Sequence, residues 1–196
     1  GLAAWLIVGS FAAAAVRARI REVGLGIGLR RLAGLPRSTF GTAVARDLHV
    51  PFLDSDAEIE RAANRSIAEI FARDGEPFFR EKETQVIRRL LRTQRCILST
   101  GGGAYMSERN RELIHDAGVA VWLNADLDLL WSRVRHKDTR PLLRTPDPYG
   151  TLKALYEARI PNYALAELQV EARPEYSIDE MAGKVIAALL TRPDVL

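Results

Sequence analysis

From Ser38 onward, short apolar runs alternate with longer stretches whose apolar positions recur every three or four residues. The short runs are Val50–Leu53, Cys96–Ser99, Val119–Leu123 and Leu168–Glu171. Their length and composition are those of strands buried on both faces of a parallel sheet. The longer stretches predict helices over Phe40–Leu48, Ser66–Arg73, Pro77–Leu91, Ser107–His115, Leu127–His136, Tyr149–Glu157 and Ile178–Leu190. Ser66 and Glu69 have the spacing of a capping box. Strand, helix, strand alternation implies a doubly wound α/β sheet with right-handed crossovers. Ligands of such sheets bind beyond the carboxyl ends of the strands.

The first 37 residues break this pattern. Ala, Gly, Arg and Leu fill 8, 6, 6 and 6 of those positions, with no Lys and no Asp. Gly1–Val16 is uncharged for 16 residues, below the roughly 20 that a membrane span needs. It also lacks the basic opening of a signal peptide. Trp5–Val8 reads as a strand but stands far upstream of Ser38, whereas Arg21–Arg31 is a poor strand, interrupted by glycines. The bias and the abrupt boundary are those of a frame-shifted stretch fused to an intact body. The chain thus divides into residues 1–33, an atypical segment, and residues 34–196, one domain.

Charge supports that division. The formal net charge is +3. Residues 1–37 hold six Arg against Glu22, a net of +5, so the remaining 159 residues sum to −2. The basic balance belongs to the first segment, and a nucleic-acid surface does not follow from it. A single cysteine, Cys96, forbids an internal disulfide and fits a reducing, cytoplasmic setting. The length is that of one domain able to fold without a staple.

Chemistry concentrates after the predicted strands. Val50–Leu53 runs into Asp54-Ser55-Asp56, and Cys96–Ser99 into Thr100-Gly101-Gly102-Gly103. Acids two apart at a strand end point to opposite sides, so one can serve Mg²⁺ and the other a substrate hydroxyl. The plainer reading is that both open the next helix, where acids favour the dipole. Three successive glycines suggest a ligand lying close against backbone N–H groups. Arg80, Arg140 and Arg159 stand in Glu76–Glu81, Arg140–Leu143 and Arg159–Tyr163, among 24 Arg and 4 Lys overall. Arg140 follows a polar run, Arg133–Thr139, with the character of a mobile lid.

Taken in order, VPFLDSDAEIE, SIAEIFARDGEPFFR, STGGGAY, RPLL and RIPNY closely resemble the shikimate kinases, from about Ser38 to about Val170. The resemblance implies an α/β, three-layer P-loop kinase fold with a five-stranded parallel sheet and a lid. It implies transfer of the γ-phosphoryl of ATP to the 3-hydroxyl of shikimate, with Mg²⁺, by a cytoplasmic monomer without nucleic-acid or membrane partners. Position by position, Asp56 would bind the shikimate hydroxyls and orient or deprotonate the attacking one. Arg80 and Arg159 would clamp the carboxylate, and the Gly101, Gly102 and Gly103 run would bind shikimate through its backbone. Arg140 would meet the ATP phosphates and serve catalysis. Asp54 would support Mg²⁺, with Ser38 as its direct hydroxyl ligand.

The phosphate loop departs from the family pattern. Aligned without a gap, Ser38, Thr39 and Gly41 match, but Arg37 replaces the lysine, Pro36 the last glycine and Arg31 the first. Gly34 alone lands on a glycine position; the alternative is a gap, with Gly34-Leu35-Pro36 opening the loop and three residues missing before Arg37. Gly34, Arg37, Ser38 and Thr39 are the candidate nucleotide-binding residues. Proline lacks the N–H that such a loop directs at phosphate. An alternative function follows: a catalytically impaired relative that binds a small carboxylate as a regulator. A kinase of the same fold acting on another polyol acid, such as gluconate, is a further rival.

Overall fold

The computed structural model describes residues 4–9, 24–29, 39–93, 96–135 and 145–192. In chain order the elements are β1 (Ala4–Gly9), β2 (Gly24–Leu29), α1 (Thr39–Leu48), β3 (Phe52–Asp54), α2 (Ser55–Ala63), α3 (Ile67–Thr93), β4 (Ile97–Ser99), a 3₁₀ turn at Ala104–Met106, α4 (Glu108–Ala117), β5 (Val119–Asn124), α5 (Leu127–Val134), α6 (Pro148–Tyr163), β6 (Leu168–Glu171) and α7 (Ile178–Leu190). Among the described residues, no helix is long and apolar enough to cross a membrane.

Alternation along the central strands explains the layering. Ile97, Val119, Val121 and Leu123 pack with Val44 of α1, Leu130 of α5, Leu152 of α6 and Val185 of α7. Their neighbours Leu98, Ala120 and Trp122 turn the other way and pack with Ile59 of α2, Ile87 and Leu90 of α3 and Ile114 of α4. The sheet is therefore buried on both faces between two helical layers, as uninterrupted apolar strands require.

The strand order is β3-β4-β1-β5-β6, with β2 paired to β1. β3–β4 and β5–β6 are parallel. β1 runs antiparallel to β4, β5 and β2. The three-layer α/β expectation holds; among the described residues the sheet has six strands and is mixed, where five parallel strands were expected. The apolar run Ala4–Gly9 takes the central place, and Gly24–Leu29 folds back on it with Gly9 opposite Gly24. Glycine at every second position of β2 does not prevent pairing, because a hairpin partner supplies the ladder hydrogen bonds.

Helix boundaries follow local chemistry. The capping box forms: Ser66 N–H donates to Glu69 Oε2 at 2.8 Å and Glu69 N–H to Ser66 Oγ at 3.3 Å. A second, at α7, joins Ser177 and Glu180. The two helices expected on either side of Gly75 are the arms of α3, which breaks where Gly75 adopts φ 79° and ψ 171°. That conformation is open to glycine and closed to L side chains. α2 is not among the helices predicted from periodicity, but it begins directly after β3, where the plainer reading of Asp54 and Asp56 put a helix start. α6 runs past the expected end at Glu157 to Tyr163, through Pro161. The carbonyl that Pro161 leaves without a helical donor is on exposed Glu157, where water can reach it.

Candidate active site

The site grows from the paired ends of β3 and β4, where Asp54 lies opposite Ser99. Asp54 is the N-cap of α2: its Oδ1 accepts the N–H groups of Asp56 at 2.9 Å and Ala57 at 3.1 Å. For Asp54, then, the helix-opening reading is realised. Asp56, one position into the helix, is buried at 8% exposure. Its Oδ1 lies 3.4 Å from the point a Cβ on Gly101 would occupy, and Glu83 Oε1 lies 3.5 Å from the same point. Two carboxylates from different helices thus flank the first glycine of the run.

The run turns sharply. Ala104 N–H donates to the Gly101 carbonyl at 2.9 Å, opening the 3₁₀ turn. Arg80, on the second arm of α3, lies over its last residue: a Cβ on Gly103 would stand 2.6 Å from Nη1 and 2.7 Å from Nη2. Only glycine leaves room for the guanidinium there. Arg80 Nη1 donates to Glu83 Oε2 at 2.9 Å, and Nε and Nη2 donate to Glu76 Oε1 at 3.1 and 2.9 Å. Its guanidinium carbon lies 5.2 Å from the Phe79 ring centroid. Burial disfavours the charge on Arg80, but Glu83 and then Glu76 outweigh it, so its pKa is raised. Glu83 is 1% exposed, its carboxyl group held beside the Arg80 guanidinium.

The C-terminal turn of α6 closes the corner. Tyr163 is buried, and its hydroxyl donates to the Gly102 carbonyl at 2.9 Å. Asn162 Oδ1 accepts from Arg111 Nη1 at 3.0 Å, and the same nitrogen donates to the carbonyls of Tyr105 and Met106. Arg159 is half-buried, one helical turn before Tyr163 and so on the same face.

The structure therefore brings Asp56, Arg80 and Gly101–Gly103 together, with Arg159 on the helix face that Tyr163 anchors to them. Thr39 opens α1. Gly34, Arg37, Ser38 and Arg140 lie outside the described residues, as does most of the run read as a lid. Glu83, Glu76 and Tyr163 were missed. Glu76 and Glu83 stand at i−4 and i+3 from Arg80, a spacing that signals helical ion pairs. No sequence rule signals a tyrosine reaching a carbonyl 61 residues away.

Among the described residues, no three acidic, histidine or cysteine side chains gather as a metal cage. A kinase Mg²⁺ needs none, since waters and phosphate oxygens fill most of its octahedron. Ser55 Oγ and Thr100 Oγ1, just past the ends of β3 and β4, are buried without a hydrogen-bond partner among the described residues. Hydroxyls in that state fit a hydrated cation or a phosphate oxygen beside Asp54.

The shikimate kinase family model matches residues 33–190. The chain belongs to the shikimate kinase family. A shikimate kinase of Cereibacter sphaeroides is 62% identical over 181 residues, 92% of this chain and 89% of that protein. One from Ruegeria pomeroyi is 61% identical over 165 residues, 84% of this chain and 85% of that protein. The solved shikimate kinase of Acinetobacter baumannii, in complex with shikimate, is 34% identical with a TM-score of 0.71, covering 79% of this chain and 86% of that one. Family membership makes the chain an ATP-dependent small-molecule kinase with a P-loop kinase fold, and ATP and Mg²⁺ are the cofactors of the shikimate kinase family.

Proposed function

We propose that this site phosphorylates the 3-hydroxyl of shikimate, with Arg80 and Arg159 clamping the substrate carboxylate and the Gly101–Gly103 backbone lying against the ring. One observation carries this reading: Arg80 and Asp56, 24 residues apart in sequence, both reach the same glycine run. A guanidinium fork against the last glycine of the run and a buried carboxylate against the first match a polyol acid, anion at one side and hydroxyls at the other. The Glu76 and Glu83 pairs fix the Arg80 fork before substrate arrives.

Asp56 accepts the proton of the 3-hydroxyl as its oxygen bonds to the γ-phosphorus. The bond from that phosphorus to the bridging oxygen breaks, and ADP leaves. Mg²⁺ supplies neutralisation of the phosphate charge. Ser38 would hold it directly and Asp54 through water, with the Ser55 and Thr100 hydroxyls next to that position. Arg140 and Arg37 are assigned to the phosphates, together with Gly34 and with Thr39 at the start of α1. The catalytic residues are assigned to 34–196, which the family match over 33–190 supports, while β1 and β2 of segment 1–33 complete the same sheet. It works as a cytoplasmic monomer, consistent with a free, buried Cys96.

Pro36 and Arg37 in place of a glycine and a lysine favour a second reading, a shikimate-binding protein with weak phosphoryl transfer. Shikimate-dependent ADP release separates the two. Release at a rate that saturates with shikimate supports the kinase. Calorimetric shikimate binding without release supports the binder.

A further inference from the structure

We propose that Tyr163 is a positioning residue of the carboxylate clamp: its hydroxyl holds the Gly102 carbonyl and so fixes the distance between α6, which carries Arg159, and the loop beneath Arg80. The inference rests on the reading that Arg80 and Arg159 share one substrate carboxylate.

The two halves of that clamp come from separate parts of the fold. Arg80 reaches the glycine run from α3, where Glu76 and Glu83 restrain it. Arg159 arrives on α6, whose N-terminal end follows the residues read as a lid. A helix that carries one half of a clamp needs a fixed point close to that side chain if it is to keep register with a ligand held by the other half. Tyr163 supplies that point at 2.9 Å from the Gly102 oxygen. Its ring is held as well, with its centroid 6.2 Å from that of Trp122 on β5, inside the core cluster of that layer. The bond also fixes the peptide plane between Gly102 and Gly103, and with it the direction of the Gly103 N–H. Arg111, bridging Asn162 to the carbonyls of Tyr105 and Met106, holds the same helix end to the turn after the run. That bridge ends on the turn and does not touch a glycine of the run, so the Tyr163 hydroxyl is the link that reaches the substrate loop itself.

Tyr163→Phe removes the hydroxyl and keeps the ring. The test measures calorimetric affinities of the full chain for shikimate and for its neutral methyl ester, together with the thermal midpoint. Shikimate binding should weaken roughly five- to tenfold, the effect of one lost hydrogen bond that leaves a buried carbonyl unpaired. The methyl ester should lose less than about twofold, because it makes little use of the clamp. Tyr105→Phe removes another largely buried tyrosine hydroxyl of this corner, bonded to the Leu165 carbonyl, and should leave shikimate affinity within about twofold. Equal shikimate affinity in Tyr163→Phe and the unchanged chain overturns the inference. An equal loss for shikimate and its ester also overturns it, since that pattern is general loosening. Arg159→Ala keeps the two claims apart. If it weakens shikimate binding while Tyr163→Phe does not, the clamp stands and the positioning role fails. If Arg159→Ala changes nothing, the clamp itself fails.

Discussion

Arg80 occupies the space that a side chain on Gly103 would fill, with Nη1 only 2.6 Å from the missing Cβ. The third glycine of the run thus has a steric reason separate from any ligand: it lets a charged group from α3 lie flat on the β4 loop. Arg80 is also the flexible partner in that contact. An added methyl would push it aside without unfolding the loop.

Gly103→Ala is therefore expected to fold with a nearly unchanged thermal midpoint and to bind shikimate at least about tenfold more weakly, the loss of one charge-assisted contact. Arg80→Ala should weaken shikimate to a similar degree and leave ATP affinity unchanged. Combining the two should cost little more than either alone, because both remove the same group from the same place. Additive losses in calorimetric titration would show that Gly103 acts on substrate independently of Arg80.

How far the sequence discloses this arrangement differs by element. The strand ends at Asp54 and Ser99 were legible because apolar runs of four or five residues stop abruptly at acids or glycines. The break in α3 was legible from Gly75 and Pro77, which interrupt a helical pattern. The central position of β1 was not, because a run such as Trp5–Val8 carries no mark of its neighbours or direction. Glu83 was obscured for another reason. Sequence shows it as one more acid on a charged helix, and only the three-dimensional path of α3 makes it a buried partner of Arg80. The two roles weighed for the Asp54–Asp56 pair were separated only by hydrogen bonds: Asp54 caps α2, while Asp56 turns inward toward Gly101.

Asp56→Asn keeps the size of the side chain and removes both its charge and its capacity to take a proton. In a chain with a repaired phosphate loop, turnover should fall by about 10²–10⁴-fold, the range for loss of a general base. Shikimate affinity should fall much less, since the amide still accepts a hydroxyl hydrogen bond. Steady-state kinetics with calorimetry on the same protein measures both. A turnover loss below about threefold would leave Asp56 with the role of a helix-opening residue alone.

The fold should weaken in alkali. Burial pushes the Cys96 thiol from 9.0 up to about 12. Burial, then Glu167, likewise raises the Tyr105 phenol. Both groups stay protonated in the folded chain at pH values where the unfolded chain loses the proton. Stability is then fully present below pH 9 and declines as pH rises toward 12. For Cys96 alone the loss between pH 9 and 10.5 is about 2 kcal/mol, at about 1.4 kcal/mol per pH unit. Urea unfolding at the two pH values should show it, and Cys96→Ala should flatten the dependence. An equal alkaline loss in that variant would place the sensitivity elsewhere.

The gap-free alignment with the family puts this chain's largest departure on the nucleotide side. In it, Pro36 would take a position where a backbone N–H is used and glycine is needed, and Arg37 the position of the lysine. Proline removes a donor and locks its φ, and a guanidinium fork is larger and differently shaped than an ammonium. The start of α1 at Thr39 still offers the donor end of a helix dipole, which attracts phosphate by itself. Attraction of that kind does not enclose the β-phosphate as a ring of N–H groups does. On the second reading, the chain binds shikimate well and ATP·Mg²⁺ poorly, with little turnover. Replacing Leu32–Arg37 by a glycine-rich segment ending in Gly-Lys should tighten ATP·Mg²⁺ at least about tenfold, the effect of one restored charge-assisted hydrogen bond, and leave shikimate affinity unchanged. Fluorescent-nucleotide titration of the two proteins side by side decides it. Micromolar affinity in the unaltered chain would mean that Arg37 and its neighbours rebuild the phosphate site without the glycines.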